Sequence, residues 1–254
     1  MLTAIAESKA VIDHAKLLPK NEIRLRRQAL IRMSHSSTGI EGNILNFKQV
    51  EAVADRKRVD APARDVYEVA NYLKALRYIE KIVENKQPIS EKNLLKIHKL
   101  VTDKTLPANQ SGHYRKGKIY VIRQQADTAD EVVYTGPDAK NVPYLCRDLI
   151  KWLAESEVKN INPVVTAGIA HQEIAAIHPF SDGNGRTARA LSTLILYQRG
   201  YDFRRLFALE DYYNKDRGEY YKAINIGKNY QERKTDMTSW LEYFVKGFKE
   251  EIGL

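Results

Sequence analysis

Hydrophobic residues recur at helical spacing along most of the chain. The longest periodic stretch runs from Arg64 to Asn85, where apolar positions fall three or four residues apart. Residues 102–137 break this pattern, so the chain is predicted to be mainly helical with one irregular segment near its middle. The same spacing predicts further helices over residues 3–17, 21–34, 46–54, 90–101, 142–155, 163–177, 186–199, 211–224 and 236–250.

The irregular segment holds two short runs of β-branched and aromatic residues. They are Lys118 to Ile122 and Glu131 to Tyr134, separated by the polar stretch from Arg123 to Asp130. This arrangement predicts a β-hairpin with a polar tip. Because an isolated two-stranded ribbon is only marginally stable in water, we expect it to lean on the helices with one edge free. A free edge can take up an extended peptide, although a ribbon that only covers the core fits the same pattern.

One run of residues, from His178 to Arg189, carries most of the candidate chemistry and reads HPFSDGNGRTAR. Apolar segments on both sides are predicted helices, so the run is a glycine-rich loop that leads into a helix N-terminus. Unpaired backbone N–H groups and the positive end of the helix dipole favour anions there. Gly183 and Gly185 let the backbone approach phosphate oxygens, and Asp182 offers the hard oxygen that Mg²⁺ prefers.

The histidine and the two arginines of this loop extend the same interpretation. His178, with a reference pKa near ~6.5, is placed to accept a proton from an attacking hydroxyl. Arg186 and Arg189 are three residues apart, so they share a helix face and can bind successive phosphates. Taken singly, each feature also fits a turn, a packing histidine or a solvated helix face. The ordered combination favours a nucleotide-phosphate site.

The loop resembles the signature of the Fic family, H-P-F-x-D/E-G-N-G-R-x-x-R, and matches it at every position. The resemblance extends to Gly112–Pro137 and Asp236–Leu241, and it covers roughly residues 90–247. It implies an all-α, mainly helical Fic fold with the hairpin as a flap, at about residues 112–137, over the active site. It also implies transfer of AMP from ATP to a Ser, Thr or Tyr hydroxyl of a target protein that docks on the flap.

The resemblance assigns roles to individual residues. His178 is the implied base and Asp182 the implied Mg²⁺ ligand, while Phe180 is expected to be buried and to hold the loop. Asn184 is also expected to use its side chain on a phosphate or on the water shell of the metal. Paired tyrosines at helical spacing fit a core helix as well as an adenine pocket. The implied nucleotide-binding residues are Gly183, Asn184, Gly185, Arg186, Arg189, Tyr220 and Tyr221, with Asn225 and Asn229 also where the family often contacts adenine.

A second motif, residues 37–42, lies well ahead of the loop. By itself it indicates a helix end, with Gly42 just past the last turn. A carboxylate in a last helical turn is unfavourable to the dipole, so Glu41 needs a partner. Ser37, Glu41 and Gly42 resemble the Fic inhibitory motif S/T-x-x-x-E-G/N. The resemblance implies that Glu41 pairs with Arg189 and takes it from the γ-phosphate of ATP; an exposed turn is the alternative.

Composition narrows the class of protein. The 254 residues are expected to form an N-terminal helical region, 1–88, and a Fic core, 89–254. The formal net charge of +9 includes two basic clusters, but these lack interleaved aromatic residues, so we do not expect nucleic acid as a partner. Cys146 is the only cysteine, and we recognise neither a signal peptide nor a stretch of about 18 apolar residues. A cytoplasmic protein without a membrane partner is expected, and homo-oligomerisation stays open.

The sequence thus predicts a protein adenylyltransferase, a nucleotidyltransferase that uses ATP and Mg²⁺ and is inhibited by Glu41. One alternative is a regulatory binding module without robust transferase activity. Another is a Fic enzyme that removes AMP or transfers a different group. The presence of both His178 and Asp182 favours an enzyme, because a binding module needs neither.

Overall fold

A computed structural model describes residues 1–123, 131–233 and 236–253. The described residues are mainly helical, as predicted, and form one small hairpin. Residues 124–130, most of the predicted hairpin tip, lie outside the described part. The helices are α1 Leu2–His14, α2 Pro19–Ile40, α3 Phe47–Ala54, α4 Ala63–Glu84, α5 Glu91–Val101, α6 Val142–Val158, α7 Pro163–Ile177, α8 Asn184–Gln198, α9 Leu209–Lys215, α10 Arg217–Ile224 and α11 Thr238–Ile252.

Helix α2 is longer than predicted, and its extra turns matter for the site. Pro19 occupies the first turn, where its missing N–H costs nothing. At the other end, polar residues hid the continuation of the helix from the hydrophobic pattern. The hydroxyls of Ser34 and Thr38 donate to the carbonyls four residues earlier, at 2.8 Å each, so these residues are accommodated inside the helix. The extension places Glu41 at the C-cap of α2.

The predicted helix over 211–224 is two helices instead of one. Asp216 has extended backbone angles, φ −141° and ψ 88°, and therefore ends α9. Its side chain accepts a hydrogen bond from the N–H of Glu219 at 2.9 Å, which caps the start of α10. The break turns α10 toward the end of α2, where Tyr221 donates to the carbonyl of Ile40 at 3.0 Å.

Helices α7 and α8 form the centre of the molecule. They pack against each other, α4 and α5 pack on α8, and α11 packs on α7. Apolar side chains of both central helices, such as Ile174, Leu191 and Leu194, have no exposed surface. The loop between α7 and α8 is therefore anchored at both ends in the most buried part of the protein.

The hairpin consists of β1, Tyr120–Arg123, and β2, Glu131–Thr135, paired antiparallel with a bulge between Val121 and Ile122. It leans on the helices, because the hydroxyl of Tyr134 donates to the carbonyl of Ala176 at 2.8 Å. Residues 228–230 exchange backbone hydrogen bonds with Thr135 and so cover that end of β2. Within the described residues β1 pairs with β2 alone, which leaves its outer edge free. None of the described helices has the length and apolar character that a membrane crossing requires.

Candidate active site

Two residues with positive φ shape the loop between α7 and α8. His178 ends α7 in the left-handed region, with φ 48° and ψ 60°, an uncommon conformation for a residue with a side chain. Gly183 begins the turn into α8 with φ 77°, and a Cβ there would lie 2.7 Å from the Thr102 methyl group. Only glycine fits at Gly183, and the loop consequently reverses direction within a few residues.

His178 is held in a form suited to accept a proton. Its Nδ1 lies 3.2 Å from the carbonyl oxygen of Ala175, and since a carbonyl only accepts, Nδ1 carries the hydrogen. The lone pair is then on Nε2. Burial lowers the pKa of His178 below its usual 6.5, which keeps the imidazole neutral near pH 7. A neutral ring with a free Nε2 is the state that a general base requires.

The middle of the loop is braced by its own side chains. Phe180 is fully buried, as the resemblance implied. The Asn184 side chain accepts from the Phe180 N–H and donates to the Phe180 carbonyl, both at 2.9 Å. One lone pair of its oxygen and one hydrogen of its nitrogen are thus used inside the loop, while the binding of a phosphate or the metal's water shell by this side chain stays a prediction. Asn184 fixes the loop and contributes its backbone N–H at the start of α8.

His98 is a structural support that sequence reasoning missed. Its ring stacks on Phe180 with a centroid distance of 3.7 Å and an interplanar angle of 3°. Nδ1 accepts from the Gly112 N–H at 2.9 Å, so Nε2 carries the proton and donates to the Asp182 carbonyl at 3.0 Å. Burial lowers the pKa of His98 to about 4, which keeps the ring neutral. A histidine on the apolar face of the predicted helix 90–101 was the available signal.

Arg115 joins the loop to the base of the hairpin. Its guanidinium donates to the carbonyls of His178 at 2.8 Å, Gly117 at 2.7 Å and Pro137 at 2.6 Å. Its backbone N–H donates to Pro179 at 2.9 Å. The left-handed turn at His178 is thus fixed from both sides, by α7 and by the segment that leads into β1.

Arg189 is paired with the end of α2. It is 2% exposed, and its Nη2 donates to Glu41 Oε1 at 2.7 Å. Ser37 receives the Nε hydrogen at its Oγ, at 2.8 Å, and a second hydrogen bond at its carbonyl, at 2.9 Å. Burial lowers the pKa of Arg189, but the Glu41 carboxylate together with Tyr220 and Tyr72 raises the pKa overall. The contact implied by the residue 37–42 motif is therefore present.

The Glu41 carboxylate also covers the predicted anion cradle. A Cβ built on Gly185 would overlap Glu41 Oε1. The carboxylate consequently lies directly against the first turn of α8, where backbone N–H groups favour an anion. Two acidic groups cannot occupy one cradle, so Glu41 and a nucleotide phosphate compete for this place.

Arg186 has different partners from Arg189. It is 1% exposed, with Nη1 3.3 Å from Glu68 Oε1 and Nη2 3.4 Å from Asp182 Oδ1. In this conformation a buried acid faces Arg186, and the binding of successive phosphates by the two arginines stays a prediction. Glu68, which comes from α4, could not be predicted from the sequence pattern. Glu68 Oε2 also accepts from Asn43 at 3.0 Å, which links the segment just after the residue 37–42 motif to the loop.

Asp182 is the acidic group of the loop that remains accessible, with a side chain 36% exposed. Its Oδ1 accepts from the Gly183 N–H at 2.6 Å, and Oδ2 lies 3.1 Å from Arg64 Nη2. No three His, Cys, Asp or Glu side chains of the described residues cluster as a metal site. A single carboxylate fits Mg²⁺ that arrives with phosphate oxygens and water as its remaining ligands.

A cavity of about 480 Å³, large enough for a nucleotide, is lined by His178, Gly185, Arg189 and Glu41, whereas Asp182 and Arg186 lie outside its lining. Tyr220 is 2% exposed and packs mainly in the core, whereas Tyr221 is 47% exposed. Gln172 was missed, although its Oε1 is buried without a partner among the described residues and is available to a ligand. Asn229, in contrast, donates to Glu232. The cavity is lined by Glu41, Val121, Ile122, Val133, Tyr134, Gln172, Ala175, Ala176, His178, Asn184, Gly185, Arg189, Tyr220, Tyr221, Ile224, Asn225 and Ile226.

The chain is similar to known proteins of one family. The model of the Fic/DOC family matches residues 88–196. Protein adenylyltransferase Fic of Drosophila erecta is 29% identical over 202 residues, covering 79% of this chain and 37% of that protein. The protein of the same name from Aedes aegypti is 31% identical over 181 residues, covering 70% of this chain and 34% of that protein. The chain thus spans little more than a third of the length of these relatives.

The fold is also found among solved structures. A Fic family protein from Desulfovibrio desulfuricans G20 superimposes with a TM-score of 0.80 and 29% identity, covering 99% of this chain and 72% of that one. The agreement extends over the N-terminal helices as well as the loop and hairpin. The chain therefore contains a domain of the Fic/DOC family over residues 88–196, which include the α7–α8 loop.

Proposed function

We propose that this protein is an adenylyltransferase that transfers AMP from ATP to a hydroxyl group of a target protein. The observation that supports this most directly is that His178, the N-terminus of α8 and Arg189 face one cavity of nucleotide size. A base, an anion cradle and a cation are the groups that phosphoryl transfer requires. The named activity of the Drosophila and Aedes relatives supports the same reaction.

In the proposed reaction, the hydroxyl oxygen of the target attacks the α-phosphorus of ATP. His178 Nε2 accepts the hydroxyl proton, and the bond between the α-phosphorus and its bridging oxygen breaks. The products are the AMP-modified protein and pyrophosphate. The backbone N–H groups at the start of α8 bind phosphate oxygens, and Arg189 binds the γ-phosphate. The left-handed turn at His178 aims the imidazole at this place.

Asp182 is the residue that would hold Mg²⁺, which when bound neutralises phosphate charge. Arg64 now pairs with Oδ2 of Asp182 but is 63% exposed, so it can move into solvent at little cost. The other carboxylate oxygen stays fixed by the Gly183 N–H. Asp182 is therefore held in orientation by the loop itself.

We propose further that Glu41 inhibits the reaction. Its carboxylate takes up Arg189 and lies against Gly185, so that the γ-phosphate loses its cation and meets a negative charge in the cradle. ATP would then bind without its α-phosphorus aligned for attack. Solvent reaches this ion pair from the Glu41 side, because the Glu41 side chain is 28% exposed whereas that of Arg189 is 1% exposed. Glu41 is thus the partner that can leave.

The free edge of β1 is the proposed place for the target protein. An extended segment can pair with the backbone of β1, which positions a hydroxyl over the loop without requiring a particular sequence. Tyr120, Ile122 and Val132 are about half exposed on this hairpin and supply apolar contacts.

Labelled ATP provides the test. With ATP labelled at the α-phosphate, Glu41→Gly should label protein at a rate roughly 10²-fold above the natural chain, the size of effect that correct positioning of a reacting group gives. ATP labelled at the γ-phosphate should leave protein unlabelled. Label from the γ-position would indicate phosphate transfer instead. Equal, low labelling by both proteins would contradict the inhibitory role of Glu41.

The double variant Glu41→Gly with Arg189→Ala is the matched control. It should lose the increase in labelling rate, because the proposed activation of Glu41→Gly depends on the released Arg189. A double variant as active as Glu41→Gly alone would show that Glu41 acts through the cradle and not through Arg189.

A further inference from the structure

Behind Arg189, on the side away from Glu41, lies a group of buried polar side chains that the proposed reaction does not use. We call Glu210, His171 and Tyr213 the rear cluster; they are 2%, 0% and 1% exposed. All three line a small internal cavity, and Arg189 lines it too. Polar groups at such depth are stable only when each of them is hydrogen-bonded.

One chain of hydrogen bonds runs from Arg189 to Glu210. Arg189 Nε donates to Ser37 Oγ at 2.8 Å, and the Ser37 side chain lies beside Tyr72. Tyr72 donates to Glu210 Oε1 at 2.8 Å. The hydrogens of Arg189 and Tyr72 both point toward the rear, and the chain ends on the Glu210 carboxyl group.

A second chain runs from Arg189 to His171. Arg189 Nη1 donates to the Tyr220 hydroxyl at 3.4 Å, and that hydroxyl lies 2.9 Å from His171 Nε2. Because the Tyr220 oxygen accepts from Arg189, its own hydrogen is free for His171 Nε2. The hydrogen of the imidazole is then on Nδ1, which makes His171 Nδ1 a donor.

Both chains end at the small cavity. Glu210 Oε2, His171 Nδ1 and the Tyr213 hydroxyl are buried and have no hydrogen-bond partner among the residues that the structure describes. They comprise one acceptor and two donors. The free volume between them is about 10 Å³, close to the space that one water needs. A water takes two hydrogen bonds and gives two, and so complements the three atoms.

We propose that one ordered water binds in the rear cluster, accepts from His171 and Tyr213, and donates to Glu210. This water joins the two chains into a ring that holds Arg189 at Nε and Nη1. The remaining nitrogen, Nη2, donates to Glu41 and to the Ser37 carbonyl, and Arg189 lines the nucleotide cavity. Glu210 is thus a positioning residue behind Arg189. Burial raises the pKa of Glu210 to about 7, so it supplies a buried negative charge above that pH when Glu41 leaves.

This arrangement explains how Arg189 keeps its place when its front partner changes. Without the ring, a buried guanidinium that lost Glu41 would be free to rotate or to draw in solvent. With the ring, only Nη2 exchanges its partner, from the Glu41 carboxylate to a phosphate. The effect on ATP binding rests on the proposed function, whereas the existence of the water site does not.

A crystal structure of the natural chain at about 1.5 Å resolution tests the water. We expect a density peak within hydrogen-bond distance of Glu210 Oε2, His171 Nδ1 and the Tyr213 hydroxyl. A cavity without density, or a direct contact between Glu210 and His171, would overturn the proposal. This result does not depend on whether the protein transfers AMP.

Nucleotide binding tests the positioning role. In the Glu41→Gly background, Glu210→Gln and Tyr213→Phe should each raise the Kd for ATP by roughly tenfold, about the effect of one lost buried hydrogen bond. The Kd for AMP, which has no γ-phosphate, should not change. Glu157→Gln, at an exposed position of α6, is the control and should leave both values unchanged.

The comparison of ATP with AMP separates positioning from general damage to the fold. Equal losses for both nucleotides, or no loss for either, would refute the positioning role of Glu210. If the Glu41→Gly protein itself binds no ATP, the proposed function fails, and the density peak alone decides whether the water site exists.

Discussion

The α7–α8 loop and the hairpin face the same cavity but are built in opposite ways. In the loop, Asn184 is bonded to Phe180, His98 to Asp182, and Arg115 to His178, by side chains that are largely buried. Hydrogen bonds hold the hairpin near Tyr134 and Thr135, and the outer edge of β1 is free within the described residues. The loop geometry is thus fixed before any ligand arrives, while the hairpin keeps backbone groups available for a partner.

This contrast suggests where control can act. A loop braced by so many bonds is costly to reshape, because each broken buried hydrogen bond leaves an unsatisfied group. Blocking it is easier than distorting it, and in the proposed inhibition Glu41 blocks the cradle without any change in the loop. Under that proposal regulation resides in the end of α2, while the geometry of the loop stays constant.

The largest effect is expected from replacing His178, the proposed general base of the loop. His178→Ala should lower the rate of AMP transfer by about 10²–10⁴-fold in the Glu41→Gly background, the usual contribution of a general base. Binding of ATP should change little, because the α8 N-terminus and Arg189 hold the phosphates. Rates of label transfer and the Kd for ATP measure the two effects separately. A His178→Ala protein that still labels itself at the parent rate would contradict the assignment.

The pH dependence gives a control for that assignment. Burial lowers the pKa of His178, so the neutral form should persist to a pH below the usual 6.5. The rate should fall as pH drops through this lowered pKa, because a protonated imidazole cannot accept a proton. This acid limb should disappear from the residual rate of His178→Ala.

The next largest effect is expected from replacing Asp182, the carboxylate of the loop. Asp182→Asn keeps the shape and the hydrogen bond from Gly183 but removes the charge, and it should lower the rate by roughly 10²-fold, a loss of several kcal/mol of charge stabilisation. The Mg²⁺ concentration needed for ATP binding should rise as well. Arg64→Ala is the matched control, since Arg64 contacts the same carboxylate from an exposed position. Unchanged Mg²⁺ dependence in Asp182→Asn would place the cation elsewhere.

Much of the loop and the hairpin could be predicted from the sequence. The loop could be read residue by residue because its chemistry is local: His178, Asp182 and Gly183 lie within six positions. The hairpin was also predicted, from β-branched residues. The braces were not, because Glu68 and His98 reach the loop from distant helices, and hydrophobic spacing cannot show which helices meet. The end of α2 was missed where hydroxyls that bond within the helix replaced apolar residues.

A smaller effect is expected from weakening a brace of the loop. His98→Phe keeps a ring against Phe180 but leaves the Gly112 N–H and the Asp182 carbonyl without their partner, which should cost about 1–3 kcal/mol of unfolding free energy. The transfer rate should fall about tenfold, because His178 and Asp182 lose their fixed separation. Denaturant unfolding and label transfer measure the two quantities. His113→Phe, at an exposed neighbouring position, is the control. If His98→Phe lost stability but kept its full rate, the loop would not need this brace for its chemistry.

The smallest effect is expected on the hairpin, where contacts are few and adaptable. Tyr120 is 49% exposed on β1, so Tyr120→Ser removes a cross-strand contact for a docked peptide without touching the core. A single such contact contributes about 0.2–1 kcal/mol, so the apparent KM for a target protein should rise at most about fivefold. The Kd for ATP should stay the same, because Tyr120 does not line the nucleotide cavity. Proteins of a cell extract that Glu41→Gly labels can serve as targets, with Tyr144→Ser on α6 as the exposed control. If Tyr120→Ser labels every target as efficiently as the control, the partner does not dock on β1, and the free edge then serves another purpose.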